Sequence, residues 1–263
     1  MWRDALDAYL LFLLASGVSP GTVRLRMHHA RRFARLAKSP SQITTEQLLG
    51  VLARDGLAPE SRKAIRSSAR KLFGWMFEEG LLEADPAARL PKIRVPAGVP
   101  RPAPEEVIAR GLLLADERSK AMLMLAAYAG LRCCEIAKVH AGDIDGQLLH
   151  VVGKGGKQRS VPLHPMVAAS LPATAGYLFP GQDNGHLSPL YVCKLIGRAL
   201  PDGWTAHKLR HRFATAAYAV ERDLFAVQQL LGHSTPVITA RYTQLPADAL
   251  HRAVLGAGPV VAA

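Results

Sequence analysis

Between positions 91 and 104 the chain reads PKIRVPAGVPRPAP, with proline at 91, 96, 100, 102 and 104. Each proline lacks an amide hydrogen and pushes the residue before it out of the helical region, so neither a helix nor an interior strand crosses this stretch. The segments on either side must bury apolar surface separately, and 263 residues suffice for two modest cores. We read 1–90 as one domain, 91–103 as an extended, semi-rigid basic connector, and 104–263 as a second domain.

Helical spacing dominates 1–90. Residues 2–14 form a first helix that Gly17 ends in the left-handed conformation, and Ser19 caps a second helix with Pro20 at its first position. Val23, Met27, Ala30 and Phe33 share one face of this second helix, while Arg24, Arg31 and Arg35 occupy another. A third helix runs from 44 or 45 to 54. A fourth runs from 59 to about 79, with Ile65, Leu72, Phe73, Met76 and Phe77 as its apolar stripe. Arg62, Arg66 and Arg70 recur every four residues along it, a spacing that can track a phosphate backbone and that an ordinary solvated face would also show. The apolar run at 8–15 lacks the positive flank of a secretory signal, because Asp4 and Asp7 cancel Arg3 and the amino terminus. It is also too short to span a bilayer, so it reads as a core-facing helix.

In the second domain, helical patterns cover 104–114 and 118–128, and a further helix starts near Cys133. Residues 148–152 and 159–163 are β-like and flank GKGGK at 153–157, which gives a hairpin with a glycine-rich turn. Helices return over 190–200, 206–220, 224–231, 236–242 and 246–255. The chain is thus mainly α with a small β-hairpin or sheet.

The excess of Lys and Arg over Asp and Glu, 33 against 21, gives a net charge of +12 and favours a polyanionic partner. No strongly amphipathic, Trp-rich anchor suggests a membrane, which leaves nucleic acid. Lys92 and Arg94 would let the connector lie along DNA. Cys133, Cys134 and Cys193 are odd in number and two are adjacent, which suits neither a disulfide framework nor a zinc site and implies a reducing cytoplasm.

Five segments stand in order: GLRCCEI at 130–136, VGKGGKQRSVPL at 152–163, HKLRHRFAT at 207–215, LLGHST at 230–235 and ARYT at 240–243. Singly each is weak. Arg132 could be a helix-start ion pair, Lys154 a solvated turn residue, and His207 with His211 a packed or capping pair. Together the series closely resembles the tyrosine recombinase (phage integrase) family, in particular its compact Xer-like members, over 104–255. The amino-terminal helices are similar to the family's core-binding domain. The resemblance implies a helical core-binding domain followed by an α+β catalytic domain of the integrase type.

The resemblance further implies the chemistry. Tyr242 is the nucleophile, Arg132 and Arg210 clamp the phosphate, Lys154 protonates the leaving 5′ oxygen, His207 accepts the tyrosine proton, and His233 donates a hydrogen bond to the phosphate. Glu135 supports Arg132 from one turn away. Arginine suits the clamp because its planar fork donates two parallel hydrogen bonds and stays protonated. No metal or other cofactor enters the scheme, and a zinc reading of His207 and His211 fails because Lys208, Leu209 and Arg210 between them include two cations and no general base.

The implied partners are double-stranded DNA and three further copies of the chain, in a homotetramer on two DNA sites. Strand exchange would proceed through a 3′-phosphotyrosyl intermediate. The alternatives are relaxation of one duplex in the manner of type IB topoisomerases, and a catalytically silent DNA-binding regulator on the same fold. The chain starts at the core-binding-like helices, so recombination on short, simple sites without arm-type accessory sites is expected. Arg212 departs from the family, which more often has a small polar residue there, and so does Val139, where the family often has leucine. In the family, a terminal helix such as that at 246–255 docks on the next protomer. The closing Val-Val-Ala-Ala, with Ala262 and Ala263, resembles the small apolar tags read by bacterial ATP-dependent proteases.

Overall fold

The computed structural model describes residues 1–96, 101–153 and 156–232. The expected helices at 236–242 and 246–255 and the tail with Ala262 and Ala263 lie outside them. The chain divides into two compact units, Met1–Gly98 and Val99–Ala263. Among the described residues no helix is long and apolar enough to cross a membrane.

The first unit contains α1 (Trp2–Ala15), α2 (Pro20–Phe33), α3 (Thr45–Leu52) and α4 (Pro59–Glu78), with a 3-10 turn at Pro40–Gln42. Gly17, at φ +64, turns the chain between α1 and α2. Ser19 occupies the cap position of α2, but its hydroxyl meets Thr22 Oγ1 at 3.0 Å and makes no bond to a helix amide. At α3 the cap is reciprocal: Thr44 Oγ1 accepts from the Gln47 amide at 3.2 Å, and the Thr44 amide donates to Gln47 Oε1 at 3.0 Å.

Tyr9, Leu13, Met27, Phe33, Leu48, Leu72, Phe73 and Met76 fill this unit's core. The expected stripe on α4 is corrected at one position. Phe77 is 48% exposed, whereas Ala69 and Trp75 are buried. Residues 65, 69, 72, 73 and 76 keep the helical three- and four-residue steps, and Phe77, rotated about 100° beyond Met76, falls past the edge of the contact. The core also holds a polar pair, with His29 Nδ1 2.8 Å from Ser68 Oγ. Burial, and secondarily the charges of His28 and Arg32, hold His29 below its ordinary pKa.

The second unit is built around one helix. After α5 (Glu105–Leu114), α6 (Glu117–Tyr128) carries a run from Ala121 to Ala127 that is buried throughout. Such a helix, apolar on all sides, belongs in the centre of a core. It packs against α5, α7 (Cys133–Ile136), α8 (Pro165–Ala169), α9 (Pro189–Ala199) and α10 (Ala206–Glu221).

The β-strands are β1 (Ile144–Asp145), β2 (Leu148–Val152) and β3 (Gln158–Pro162), antiparallel in the order β1-β2-β3, with Leu149 opposite Val161 and Val151 opposite Arg159. A further short strand, β4 (Pro180–Asp183), bridges to His186. The last described helix, α11 (Leu224–Leu231), is capped by Asp223, whose carboxylate accepts from the amides of Phe225 and Ala226, and ends at Gly232 with φ +61.

Candidate active site

The turn leaving α6 sets the first side chain. Gly130, at φ +66, lies so close to Phe213 that a Cβ there would stand 2.3 Å from the ring, so only glycine lets α6 turn into α7 against α10. Two residues on, Arg132 takes the cap position of α7 and Glu135 its third residue. The Glu135 carboxylate reaches back to the Arg132 amide at 2.8 Å through Oε2 and to the Arg132 guanidinium at 2.9 Å through Oε1.

Two further arginines converge on the same carboxylate. Arg159, from β3, donates to Oε1 and Oε2 at 2.9 Å each, and Arg210, from α10, stands 3.6 Å from Oε2. The side chain of Glu135 is 1% exposed, those of Arg210 and Arg159 are 4% and 6% exposed, and that of Arg132 is 34% exposed. Burial alone would raise the Glu135 carboxyl, but hydrogen bonds from Arg159 and the Arg132 amide, with the charges of Arg159 and Arg210, hold it below its ordinary value. It remains a carboxylate.

The end of α11 closes the cluster. Arg159 Nε donates to the Leu230 carbonyl at 2.8 Å, Arg132 reaches the Leu231 carbonyl at 3.4 Å, and Arg210 donates to the carbonyls of Leu231 and Gly130. Carbonyls left unpaired at a helix C-terminus carry partial negative charge, so these acceptors suit cations. Arg159 thereby commits all three of its nitrogens to Glu135 and Leu230. It is a strut, while Arg132 is the most solvent-open of the three arginines.

On α10, His207 and His211 lie one turn apart with their Nε2 atoms 2.8 Å from each other, so one ring donates while the other accepts. Burial, then the charges of Arg210 and Arg132, lower the His207 pKa. His211 is pushed down to about 4 by burial, then by His207 and Arg210. Both rings are neutral near pH 7, so His207 can accept a proton. Among the described residues no group of three or more His, Cys, Asp or Glu side chains could hold a metal ion.

Of the residues singled out from sequence, Arg132, Glu135, His207 and Arg210 are thus brought to one place. Lys154, His233 and Tyr242 lie outside the described residues. Sequence reasoning missed Arg159 as part of the cluster, whereas the pairing of His207 with His211 was among its readings and is observed. The signal for Arg159 was present: it shares a strand face with buried Val161, and an arginine on an inward face requires an acid.

In the first unit, Arg24, Arg31, Arg35 and Arg70 are exposed, as are Lys92 and Arg94 beyond α4. Arg62 and Arg66 differ from Arg70. Arg62 donates to the Arg54 carbonyl at 3.3 Å, and Arg66 donates twice to the Leu90 carbonyl, at 3.2 and 2.8 Å. Arg66 therefore holds the chain after α4 in place. Arg212 bonds Glu105 at 2.7 Å and lies over the Tyr128 ring.

The model of the phage integrase family matches residues 112–248. A tyrosine recombinase XerC of Neisseria meningitidis serogroup B is 32% identical, with 94% of this chain and 92% of that protein covered. A XerC of Chromohalobacter salexigens is 31% identical over 93% of this chain and 84% of its own. Among solved structures, a lambda integrase dimer bound to a COC′ core site shares the fold with a TM-score of 0.74, at 21% identity over 91% of this chain and 76% of that one. A XerH site-specific recombinase bound to palindromic difH substrate has a TM-score of 0.66, at 22% identity over 89% and 78%. With a family model covering more than half its length and relatives above 30% identity along nearly all of it, the chain belongs to the phage integrase family, the tyrosine recombinases.

Proposed function

We propose that the chain catalyses site-specific DNA recombination by cutting and rejoining strands through a 3′-phosphotyrosyl intermediate on Tyr242. The observation that carries this reading is the cluster around Glu135. Three guanidinium groups face one carboxylate, which leaves an excess of two positive charges in a largely buried site. Such a site favours an anion and favours it more as charge accumulates, as it does when a phosphodiester passes through a five-coordinate transition state.

Arg132 and Arg210 would hold the non-bridging oxygens, with Arg159 and Glu135 fixing their positions. A phenol with a pKa of about 10 is a weak nucleophile at neutral pH, and neutral His207 could take its proton as the oxygen attacks phosphorus. Lys154 would protonate the departing 5′ oxygen, and His233 would add a hydrogen bond to the phosphate. Because the bond energy is kept in the phosphotyrosyl link, the free 5′ hydroxyl of a partner strand can reverse the step and seal the exchange without ATP.

Duplex DNA would be gripped through the exposed Arg24, Arg31, Arg35, Arg70, Lys92 and Arg94, with Arg62 and Arg66 offering only the N–H groups they do not give to the Arg54 and Leu90 carbonyls, and a homotetramer on two sites would complete the exchange. The relatives support this, being a lambda integrase tetramer bound to a Holliday junction and XerH bound to its difH substrate. Ala262 and Ala263 would expose the chain to a cellular protease, and their replacement by aspartate should lengthen its half-life.

The test is incubation with nicked candidate-site duplexes, followed by denaturing gels and mapping of the linked peptide. The expected product is a covalent adduct on a 3′ phosphate that disappears in Tyr242→Phe. An adduct that persists in Tyr242→Phe overturns the assignment.

A further inference from the structure

His211 has no part in the roles above, yet it is bonded to a residue that has one. His207 and His211 stand four residues apart on α10, which puts their side chains on one face of the helix. Their Nε2 atoms are 2.8 Å apart and their ring centroids 4.2 Å apart, with the planes inclined at 66°. His207 is exposed and His211 half-buried.

A neutral imidazole carries one proton on two nitrogens, so a bond between two Nε2 atoms has only two arrangements. If His211 donates, the His207 proton sits on Nδ1 and the Nε2 lone pair is spent on the contact. That ring has no lone pair left for a phenol. If His207 donates, its proton sits on Nε2 and the Nδ1 lone pair stays open.

We propose that His211 is the positioning residue for this base: it accepts the Nε2–H of His207 and so fixes the ring as the tautomer whose Nδ1 takes the proton of Tyr242. The inference rests on the base role proposed for His207 above. As the Tyr242 oxygen bonds to phosphorus, its O–H bond breaks and the proton joins the Nδ1 lone pair. The ring is then a cation whose Nε2–H is still held by His211. On rejoining, the phosphotyrosyl bond breaks and the same proton returns to the phenolic oxygen. A base oriented by a third group is the general arrangement for activating a hydroxyl nucleophile.

The kind of acceptor follows from the charges nearby. A carboxylate at position 211 would also hold His207, but it would cancel part of the positive excess that Arg132, Arg159 and Arg210 leave around Glu135. A neutral ring holds the tautomer and leaves that excess for the phosphate. Burial, then His207 and Arg210, push the His211 pKa down to about 4, so it stays neutral while His207 takes and returns its proton.

The full-length protein, isotopically labelled at its histidine nitrogens, should be read by NMR near neutral pH, with the His207 signals assigned by their loss in His207→Gln. The expected pattern is a protonated Nε2 and a bare Nδ1 on His207. The second readout is the rate of covalent adduct formation on nicked DNA at saturating duplex. His211→Leu offers no acceptor, and its rate should fall about tenfold or more with DNA affinity unchanged. His211→Gln offers a carbonyl oxygen and should recover most of that loss. A bare Nε2 on His207, an undiminished rate in His211→Leu, or losses of equal size in both variants overturns the proposal. The ring signals do not depend on strand cleavage: wild-type protein that forms no adduct counts against the base role itself, whereas a bare Nε2 counts against the part given to His211.

Discussion

Arginine does opposite work in the two units. In the first it stays at the surface: Arg24 and Arg31 are exposed on α2, Arg35 is exposed in the turn beyond the helix end at Phe33 rather than on the helix face expected for it, and the polar pair inside is the uncharged contact between His29 and Ser68. In the second it is taken inside, where Arg159 and Arg210 share Glu135 and the end of α11. A surface charge can be removed on its own terms. A buried one sets the condition under which its neighbours can be buried at all.

The largest contrast should come from Glu135→Ala. It leaves Arg159 and Arg210 without their carboxylate, and the second unit should lose about 3–5 kcal/mol of stability together with the covalent adduct. Urea unfolding followed by hydrogen exchange on peptides of that unit measures this, and a loss below about 1 kcal/mol would erase the distinction between the units.

A smaller effect is expected from acid. His29 in the first unit and His207 and His211 in the second have folded pKa values below the ordinary 6.5. The unfolded chain therefore binds more protons than the folded chain once the pH falls below 6.5, and stability drops with it. For His211 the drop continues to about pH 4. Protection factors, the intrinsic exchange rate at each pH divided by the observed one, should fall in both units as pH is lowered from 7. His29→Leu should flatten the response of the first unit alone; if it flattens both, the two cores do not respond independently.

The smallest effect on stability belongs to Arg24→Gln, Arg31→Gln and Arg35→Gln, each expected to stay within about 0.5 kcal/mol of the parent. Their effect should appear in DNA binding. Each lost phosphate contact should reduce the slope of log affinity against log salt by about 0.9. Unchanged slopes would remove these residues from the DNA interface.

Much of the fold was legible because its signals are local. Residues 224–231 read as a helix from their own spacing, and the strands on either side of the Gly153 turn as β-like runs flanking a glycine-rich segment. What escaped depended on tertiary contact. β1 is two residues long, too short for any alternation, and exists because it pairs with β2. α8 has five residues, and Phe77 missed the core by one helical step.

The candidate site divides in the same way. The order of motifs grouped Arg132, Glu135, His207 and Arg210, but not what they share. The acceptors at Leu230 and Leu231 are backbone atoms, about which side-chain identity says nothing, and Arg159 was quoted within a motif without its strand face being weighed.

Because the carbonyls of Leu230 and Leu231 are moored at the arginines themselves, they set a geometric limit on the nucleophile proposed at Tyr242. Position 242 lies ten residues of chain beyond Gly232. Ten residues span at most about 35 Å, so in the role proposed for it the Tyr242 phenol has to work within roughly that radius of the arginines, whatever path the chain takes.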